Sequence, residues 1–387
     1  MKLTLVATCL FGLERLLGRE IEALGYERLS TIDGRVTFAG DAEAVALSNI
    51  FLRYAERIYI KVGGFHAESF DELYEGTKVL PFEDFIGARD AFPVSGHAIK
   101  SRLFSVPDCQ SIVKKAIVDR LSRSYGITWF PETGIRYRIE FFILKDEVSL
   151  MIDTSGTPLH KRGYRVEANL APIRETLAAA IVAQSRPREE VLLWDPFVGS
   201  GTIAVEAALM MRNIAPGKNR AFAAESFPFI GSRVFREARE EAIAGERPSD
   251  FVAFGSDIDR ASLDIAKANA ARAGVGDAIK LFYADARKIH AEGRRATIVT
   301  NPPYGERMGD TAEVEALYRD IGRHFQSLAP WQVYVITSHP RFEALYGRRA
   351  DGVLKLYNGM IPCYLYEYFK NNIRKDDRTA PKPKAKA

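Results

Sequence analysis

From about residue 165 onward, the sequence alternates between short apolar runs and segments with helical periodicity. The runs VLLWDPF, FVAFGSDID and ATIVTNPPY each precede an amphipathic stretch. This alternation is typical of a mainly parallel, doubly wound sheet. The closing VLKLYNGMIPCYLYEYF predicts instead two strands around Asn358-Gly359, an antiparallel hairpin at the end of the sheet. The predicted fold class of this half is therefore α/β.

Polar residues and glycines follow successive predicted strands. Asp195 closes the first strand, and Gly199 and Gly201 follow it in DPFVGSGT, where missing side chains let backbone N–H groups approach a ligand. Asp257 ends the second strand, where a carboxylate can accept both hydrogen bonds of a ribose diol. Asp285 follows the third strand and is placed to accept from an adenine amino group. We expect a nucleotide-type site, but neither a Walker loop nor a full dinucleotide fingerprint is present.

The fourth predicted strand ends in Asn301-Pro302-Pro303-Tyr304. The side-chain oxygen of Asn301 and the main-chain carbonyl of Pro302 could accept the hydrogens of an exocyclic amine and orient its lone pair. The prolines would fix the backbone, and Tyr304 would offer a flat face to a base taken out of its stack. Such catalysis rests on positioning and electrostatics and requires no strong base. An isolated motif would equally suit a rigid turn, and the upstream acids and glycines favour the catalytic interpretation.

Together, these residues resemble the class I S-adenosylmethionine-dependent amino-methyltransferases over most of residues 165–370. The resemblance implies a Rossmann-like domain with a mixed seven-stranded sheet and S-adenosylmethionine as cofactor. It also implies that the glycine loop passes the methionine part of the cofactor, with the three aspartates near its amino group, ribose and adenine. The cofactor-binding candidates are Asp195, Pro196, Phe197, Gly199, Ser200, Gly201, Thr202, Asp257, Ile258, Asp285, Ala286 and Asn301.

Charge is unevenly distributed along the N-terminal half. Residues 1–92 carry 10 basic and 15 acidic side chains, whereas residues 93–165 carry 12 basic and 7 acidic ones. A basic segment beside an acidic one favours a polyanionic partner, with a solvated helix face as the equal alternative on charge alone. The candidates for contact with RNA phosphates are Lys100, Arg102, Lys114, Lys115, Arg120 and Arg123.

The N-terminal half resembles the THUMP-containing RNA methyltransferases, in particular the YpsC-like group and the N-terminal half of RlmL. The resemblance rests on GLERLLGREIEALGYE, KSRLFSVPDCQSIVKKAI, GTPLHKRGYR and APIRETLAAAIV, and the insertion at 212–250 also suits this group. It implies methylation of guanine N2 in RNA, with ribosomal RNA the favoured substrate and transfer RNA the alternative. Val198 stands where relatives often have cysteine, and the chain ends after one methyltransferase domain.

The 387 residues, 47% of them hydrophobic, are enough for two or three domains. We expect a ferredoxin-like subdomain at 1–55, a THUMP domain at 56–155, a linker at 156–170, the methyltransferase domain at 171–370 and a disordered basic tail at 371–387. HKRGYR at 160–165 could touch cofactor or RNA, or serve only as linker. Glu306 and Arg307 could shape the pocket, contact phosphate or only carry surface charge.

Several function classes are excluded at this level. Three isolated cysteines and six scattered histidines offer neither a disulfide framework nor a zinc site, so we expect no metal. The chain shows no apolar stretch of roughly 18 residues and no signal peptide, so a cytoplasmic protein without membrane contact is expected. Two further alternatives stay open, an adenine-N6 methyltransferase acting on DNA and a non-catalytic RNA-binding factor. The sequence gives no oligomeric state.

Overall fold

The computed structural model describes residues 1–166, 173–290, 293–304 and 311–369. The first half contains strands β1 (Leu3–Cys9), β2 (Arg28–Ile32), β3 (Arg35–Gly40), β4 (Ala55–His66), β5 (Val94–Ile99), β6 (Ile139–Leu144) and β7 (Glu147–Asp153), with helices α1 (Glu14–Ala23), α2 (Ala42–Phe51), α3 (Phe70–Lys78) and α4 (Val106–Tyr125). The second half contains α5 (Glu175–Ser185), β8 (Leu192–Asp195), α6 (Thr202–Met211), α7 (Ser232–Ala244), β9 (Ala253–Asp257), α8 (Arg260–Arg272), β10 (Ile279–Tyr283), β11 (Ala296–Thr300), α9 (Thr311–Ser327), β12 (Gln332–Thr337), α10 (Phe342–Tyr346), β13 (Gly352–Asn358) and β14 (Ile361–Tyr368).

The N-terminal half is built on one continuous seven-stranded sheet in the order β2-β3-β1-β4-β7-β6-β5. Strand β4 pairs antiparallel with β1 on one side and with β7 on the other. The ferredoxin-like strands β1 to β4 and the later strands β5 to β7 therefore share β4. The expected boundary at residue 56 lies inside this strand, and the two N-terminal units form one continuous sheet.

The second sheet has the order β10-β9-β8-β11-β12-β14-β13, with β14 antiparallel to its neighbours and the strands from β10 to β12 parallel. The mixed seven-stranded sheet and the terminal hairpin match the predicted fold. The chain moves outward from β8 to β10 and then returns to β11 beside β8. Ligands of doubly wound sheets bind at the carboxyl ends of the strands beside such a reversal.

The insertion at 212–250 packs on the N-terminal half. Helix α2 is buried from Ala44 to Ile50, and a helix that is buried all round must be covered on both sides. The sheet covers one side and helix α7, inside the insertion, packs on it as well. A Cβ atom added to Gly217 would lie 2.6 Å from the carbonyl oxygen of Asn49, so only glycine permits this close approach.

The segment 160–165 connects the two halves through two buried side chains, Arg162 and Tyr164. The guanidinium of Arg162 donates to the carboxylate of Glu206 on α6, with Nε and Oε1 3.3 Å apart, and both side chains are almost fully buried. The same guanidinium donates to the carbonyl of Arg53 at 2.7 Å, and the hydroxyl of Tyr164 donates to Glu206 at 2.9 Å. This part of the expected linker is therefore tightly packed. Among the helices that the structure describes, none is long and apolar enough to cross a membrane.

Candidate active site

A cavity of about 750 Å³ lies at the carboxyl ends of β8, β9 and β11 and beside the turn that follows β10. Most of the predicted cofactor-binding residues line it, and so does the first residue of the Asn-Pro-Pro-Tyr motif. The lining residues that were predicted are Asp195, Pro196, Phe197, Gly199, Ser200, Thr202, Asp257, Ile258, Asp285, Ala286, Asn301 and Pro303. Gly201, Pro302 and Tyr304 do not line the cavity.

Asp195 ends β8 at the floor of the cavity and is only 2% exposed. Its Oδ1 atom accepts from the Thr300 hydroxyl at 2.6 Å and from the backbone N–H of Phe197 at 3.1 Å. Burial raises the pKa of Asp195 to about 7, the two hydrogen bonds oppose this rise, and the nearby charge of Asp257 adds to it. A positively charged ligand group beside this carboxyl would favour its ionised form.

The glycine loop is tied to the end of β9. The backbone N–H of Gly199 donates to Oδ2 of Asp257 at 3.0 Å, and the N–H of Asp259 donates to Oδ1 at 3.0 Å. Burial raises the pKa of Asp257. Gly201 has a φ of +82°, and a Cβ atom there would lie 3.0 Å from that of Ala266 on α8. Gly201 thus allows the loop to turn and to lie against α8. The Oδ2 atom of Asp257 fixes the loop by accepting from Gly199.

The hydroxyl-bearing part of the loop is also anchored. The carbonyl of Ser200 accepts from the side-chain amide of Asn269 at 2.9 Å, and its hydroxyl lies 3.1 Å from that of Thr202. Arg165 donates to the Thr202 hydroxyl at 3.3 Å and to the carbonyl of Ile173 at 2.7 Å. The 160–165 segment therefore reaches the start of α6 through Arg165, and Ile173 itself lines the cavity.

Asp285 lies after β10 and is held by Arg287. The guanidinium nitrogens Nε and Nη2 of Arg287 donate to the carboxylate at 2.9 and 2.6 Å, and the Arg287 backbone N–H donates to Oδ1 at 2.9 Å. These bonds lower the pKa of Asp285, so the carboxylate is ionised at neutral pH. Next to the Asp257 end of the cavity, Ile258 is 63% exposed. An exposed aliphatic side chain near a carboxylate suits a flat heterocycle with polar edges.

Helix α9 supplies a wall that the sequence analysis did not anticipate. Glu313, Ala316, Leu317 and Asp320 line the cavity, and their spacing of three, four and seven residues places them on one helix face. Asp259 and Ser262, at the start of α8, line the opposite region. The helical periodicity of the segment after the Asn-Pro-Pro-Tyr motif is the signal that could have identified this wall.

Asn301 follows β11 and presents an unusual polar atom. Its Oδ1 is buried and, among the residues that the structure describes, it has no hydrogen-bond partner. Buried polar atoms in proteins nearly always have a partner, so this oxygen marks a place for a donor that a ligand would bring. Two residues further on, the carbonyl of Pro303 accepts from the hydroxyl of Tyr318 at 2.8 Å. The Tyr318 hydroxyl also lies 3.0 Å from the hydroxyl of Thr337.

Tyr304 is buried away from the cavity, unlike Asn301 and Pro303 of the same motif. Its side chain is 8% exposed and packs within the main hydrophobic cluster. Pro302 is also buried. In this conformation the ring of Tyr304 presents little surface to the cavity, and a stacking role stays a prediction. Glu306 and Arg307, together with the tail at 371–387, lie outside the described residues.

The six predicted RNA contacts fall into two groups. Lys100, Arg102, Lys115 and Arg123 are exposed, although Arg102 contacts Glu68 at 2.6 Å. The other two, Lys114 and Arg120, make contacts within the N-terminal half. Lys114 donates to the carbonyl of Phe92 at 3.1 Å and to Glu132 at 2.5 Å; Arg120 holds Glu83 through two guanidinium nitrogens. Within the described residues, no cluster of side chains suited to a metal ion is found.

Three family models match the chain. An RMKL-like methyltransferase domain matches residues 162–367, an RlmL ferredoxin-like domain matches residues 4–59 and a THUMP domain matches residues 67–153. The first of these covers more than half of the chain. This chain belongs to the RMKL-like methyltransferase family. The predicted family, with its ferredoxin-like and THUMP units ahead of a class I methyltransferase fold, is confirmed.

Relatives of this RMKL-like methyltransferase support the same conclusion. YpsC of Bacillus subtilis (strain 168), named as a candidate RNA methyltransferase, is 45% identical over 373 residues, which are 95% of this chain and 96% of that protein. The ribosomal RNA large subunit methyltransferase K/L of Psychromonas ingrahamii is 33% identical over 368 residues, 92% of this chain. The chain spans only about half of that second protein, since the match covers 49% of it.

A solved relative bears on the cofactor. The structure of SMU.472, described as a methyltransferase candidate in complex with SAH, superposes with a TM-score of 0.89 at 38% identity, covering 96% of this chain and 99% of that chain. SAH, S-adenosylhomocysteine, is what remains of S-adenosylmethionine after methyl transfer. The carboxylates, the glycine loop and the cavity at the sheet's carboxyl edge fit this ligand, and the predicted cofactor is confirmed.

Proposed function

We propose that this RMKL-like enzyme methylates the exocyclic N2 amine of a guanosine in RNA, with ribosomal RNA as the favoured substrate. The observation that carries the proposal is the buried Oδ1 of Asn301, a residue that lines the cavity; this oxygen has no donor in the described part of the chain. An amine that enters the cavity brings the N–H groups that this oxygen needs. The target base would be flipped out of its stack to reach it.

The chemistry follows from the properties of an aromatic amine, whose lone pair is delocalised into the ring. An acceptor at Asn301 Oδ1 and a second at the carbonyl of Pro302 would draw the amine hydrogens to one side and direct the lone pair away from them. Tyr318 holds the Pro303 carbonyl, so the backbone beside Asn301 is restrained before substrate binds. This preorganisation lowers the barrier without a strong base.

The cofactor, when bound, supplies a methyl group on a positively charged sulfur. We assign its amino group to Asp195, its ribose to Asp257 and its adenine to Asp285 with Ile258 alongside. Arg287 holds the Asp285 carboxylate in the described conformation, so adenine would compete with it or share it. The acids on the α9 wall, Glu313 and Asp320, add negative charge to a cavity that receives a cationic sulfonium.

Support for RNA comes from the THUMP match and from the relatives. YpsC is named as a candidate RNA methyltransferase and the K/L protein as a ribosomal RNA methyltransferase. Guanine N2 rests on the resemblance of the sequence to enzymes with that specificity. Exposed Lys100, Lys115 and Arg123 are the RNA-contact candidates that no acid neutralises among the described ion pairs.

The test is mass spectrometry of nucleosides from separated ribosomal and transfer RNA. Cells lacking the gene would be compared with cells complemented by wild type, by Asn301→Ala, or by the exposed control Asn219→Ala. We expect N2-methylguanosine to disappear from ribosomal RNA in the deletion strain and to return with wild type and the control alone. Loss from transfer RNA would move the substrate to the alternative RNA.

Two other results would replace the proposal. Unchanged N2-methylguanosine together with missing N6-methyladenosine in DNA would point to the adenine alternative. Unchanged levels of both, with no binding of S-adenosylmethionine in calorimetry, would point to a non-catalytic RNA-binding factor. Purified protein that binds the cofactor but modifies neither nucleoside would require a search for other methylated amines.

A further inference from the structure

A second cavity, of about 380 Å³, lies against the face of the first sheet that carries Arg35, Arg57 and Tyr59. Residues of β1, β3, β4, β5, β6 and β7 contribute to it, together with Pro158 and His160 of the connecting segment and Arg174 of the methyltransferase domain. Its volume is within the range of small-ligand sites. The cavity is lined by arginines, which can bind a phosphate, and by the aromatic ring of Tyr59, which can contact a base. Such a lining suits a nucleotide.

Arg35 is the side chain that gives this cavity its character. Its guanidinium carbon lies 3.1 Å from the centre of the Phe142 ring, so the two planar groups are in contact. Within the described residues, no carboxylate lies within ion-pair distance of Arg35 and it makes no side-chain hydrogen bond. Burial lowers the pKa of Arg35 to about 10, while Tyr59 and Glu140 act in the opposite direction. Arg35 is thus a partly desolvated cation whose N–H groups are left for a ligand.

Three other basic side chains of the cavity, Arg57, Arg174 and His160, face an acid. Arg57 contacts Asp153 at 2.5 Å. Arg174 and His160 both contact Oε2 of Glu56, at 2.8 and 2.7 Å. The contacts with Glu56 link β4 to residues 160 and 174. Among the arginines that line the cavity, Arg35 is the one without a carboxylate within ion-pair distance in the described part of the chain.

The remaining acid in the wall is also engaged. Glu140 accepts from the hydroxyl of Ser95 at 2.8 Å and lies 3.5 Å from Nε2 of His97. Both of its oxygens are therefore engaged by residues of β5, and its negative charge also favours the protonated form of Arg35 from beyond ion-pair distance. An anionic group that entered the cavity could accept hydrogen bonds from the N–H groups of Arg35. A base could stack on the face of the guanidinium that is turned away from Phe142.

The position of the cavity relative to the active site identifies the nucleotide. Arg174 lines this second cavity, and the preceding residue, Ile173, lines the cofactor cavity. Consecutive residues of one backbone segment, with Cα atoms about 3.8 Å apart, therefore contribute to both cavities. Neighbouring nucleotides of one RNA strand could occupy both.

We propose that this Arg35 cavity binds a nucleotide that flanks the methylated one, with Arg35 contacting its phosphate and stacking with its base. This inference rests on RNA being the substrate. The proposed RNA contact lies on the sheet face that carries Arg35, close to the reacting base. It is distinct from contacts made by the exposed lysines and arginines of α4 and the loop before it.

The test uses the full chain and fluorescence anisotropy with a fluorescein-labelled, unstructured RNA of about 15 nucleotides. Arg35→Gln removes the charge while a planar amide can still cover Phe142. The matched control is Arg233→Gln on α7, where the arginine side chain is 76% exposed. Arg35→Lys retains the charge but loses the planar group, and it provides a second variant if glutamine disturbs folding.

For Arg35→Gln we expect about a fivefold increase in Kd and a salt dependence weaker by about 0.7 in the slope of log Kd against log salt concentration, the value for one phosphate of a single strand. Binding of S-adenosylmethionine, followed by calorimetry, should be unchanged. Arg35→Lys should keep the salt slope and lose part of the affinity.

The outcomes separate this inference from the proposed function. If wild type binds the RNA and Arg35→Gln has the same Kd and slope as Arg233→Gln, the flanking-nucleotide site is refuted and the RNA substrate stands. If wild type binds S-adenosylmethionine but not this RNA at any salt concentration, the flanking-nucleotide site is refuted, and the nucleoside analysis alone decides the proposed function.

Discussion

The hydroxyl of Thr300 donates a 2.6 Å hydrogen bond to Oδ1 of Asp195, and this bond joins the carboxyl ends of the neighbouring parallel strands β11 and β8. The cofactor end and the Asn301 end of the site are thus connected by one side-chain contact. Because Thr300 directly precedes Asn301, this hydrogen bond ties the Asp195 carboxyl to the start of the Asn-Pro-Pro-Tyr motif.

Asp195→Asn should stabilise the protein and abolish tight cofactor binding. Both observed hydrogen bonds converge on Oδ1, and an asparagine oxygen can still accept them. Folding raises the pKa of Asp195 from 3.8 to about 7, so wild type loses stability as pH rises through this window and the asparagine variant does not. The advantage of the variant in Tm should therefore grow between pH 5 and pH 7.5 and then level off.

Differential scanning fluorimetry across this pH range, with calorimetry of S-adenosylmethionine binding at pH 8, would check both halves of that prediction. A Tm advantage that does not depend on pH would show that Asp195 is ionised over the whole range. Retention of wild-type cofactor affinity would remove Asp195 from the amino-group contact.

Thr300→Val should shift the pH dependence of cofactor binding to higher pH. The valine keeps the shape of threonine but removes the donor that lowers the pKa of Asp195. A larger share of Asp195 would then be protonated at pH 7, and the cationic cofactor would bind more weakly. We expect the loss in affinity to be largest near pH 7 and to disappear by pH 9, as measured by calorimetry. An equal loss at both values would indicate a packing defect.

Arg162→Met should strongly destabilise the contact between the two halves. Within the described part of the chain, the change leaves the buried carboxylate of Glu206 with only the Tyr164 hydroxyl as hydrogen-bond partner. Removal of one member of a buried pair costs roughly 3–5 kcal/mol. The double variant Arg162→Met with Glu206→Gln removes the remaining charge and should recover part of this loss. Thermal unfolding compares the two, with exposed Arg233→Met as the control. Equal Tm values for the single and double variants would contradict the argument.

Gly217→Ala should weaken the packing of the insertion on α2. The added Cβ would meet the carbonyl oxygen of Asn49 at 2.6 Å and the Cα of Ile50 at 2.7 Å, both backbone atoms of α2. Gly245→Ala is the matched control, since its nearest neighbour would be 3.3 Å away. We expect a drop of several degrees in Tm for the first variant and little change for the second. Limited proteolysis should also cut the first variant faster within 212–250.

The polar strand ends could be located from the sequence because parallel strands bring their carboxyl ends to one edge of a sheet. Asp195, Asp257, Asp285 and Asn301 are marked by the apolar runs that precede them, and the cavity brings all four together. Their roles toward ligand parts stay predictions. The use of Gly199 N–H by Asp257 depends on a loop conformation that sequence spacing does not specify.

Other features depend on contacts between distant segments. The pairing of Arg162 with Glu206, 44 positions apart, has no local signature, and neither does the capture of Arg120 by Glu83. Charge counting therefore treated Arg120 as a free phosphate contact although it is committed within the fold. The stacking of Arg35 on Phe142 also depends on sheet order, since β3 and β6 are separated by three other strands.

The sharing of β4 between β1 and β7 has a practical consequence for any attempt to divide this protein. A fragment that began at residue 56 would leave the β1-facing edge of β4 without its partner, and bare strand edges invite aggregation. A fragment that began near residue 160 would uncover the face of α7 that packs on α2. Truncation would therefore report on the damage at the cut surface, and single-residue exchange in the intact chain is the sound way to assign RNA binding and methyl transfer.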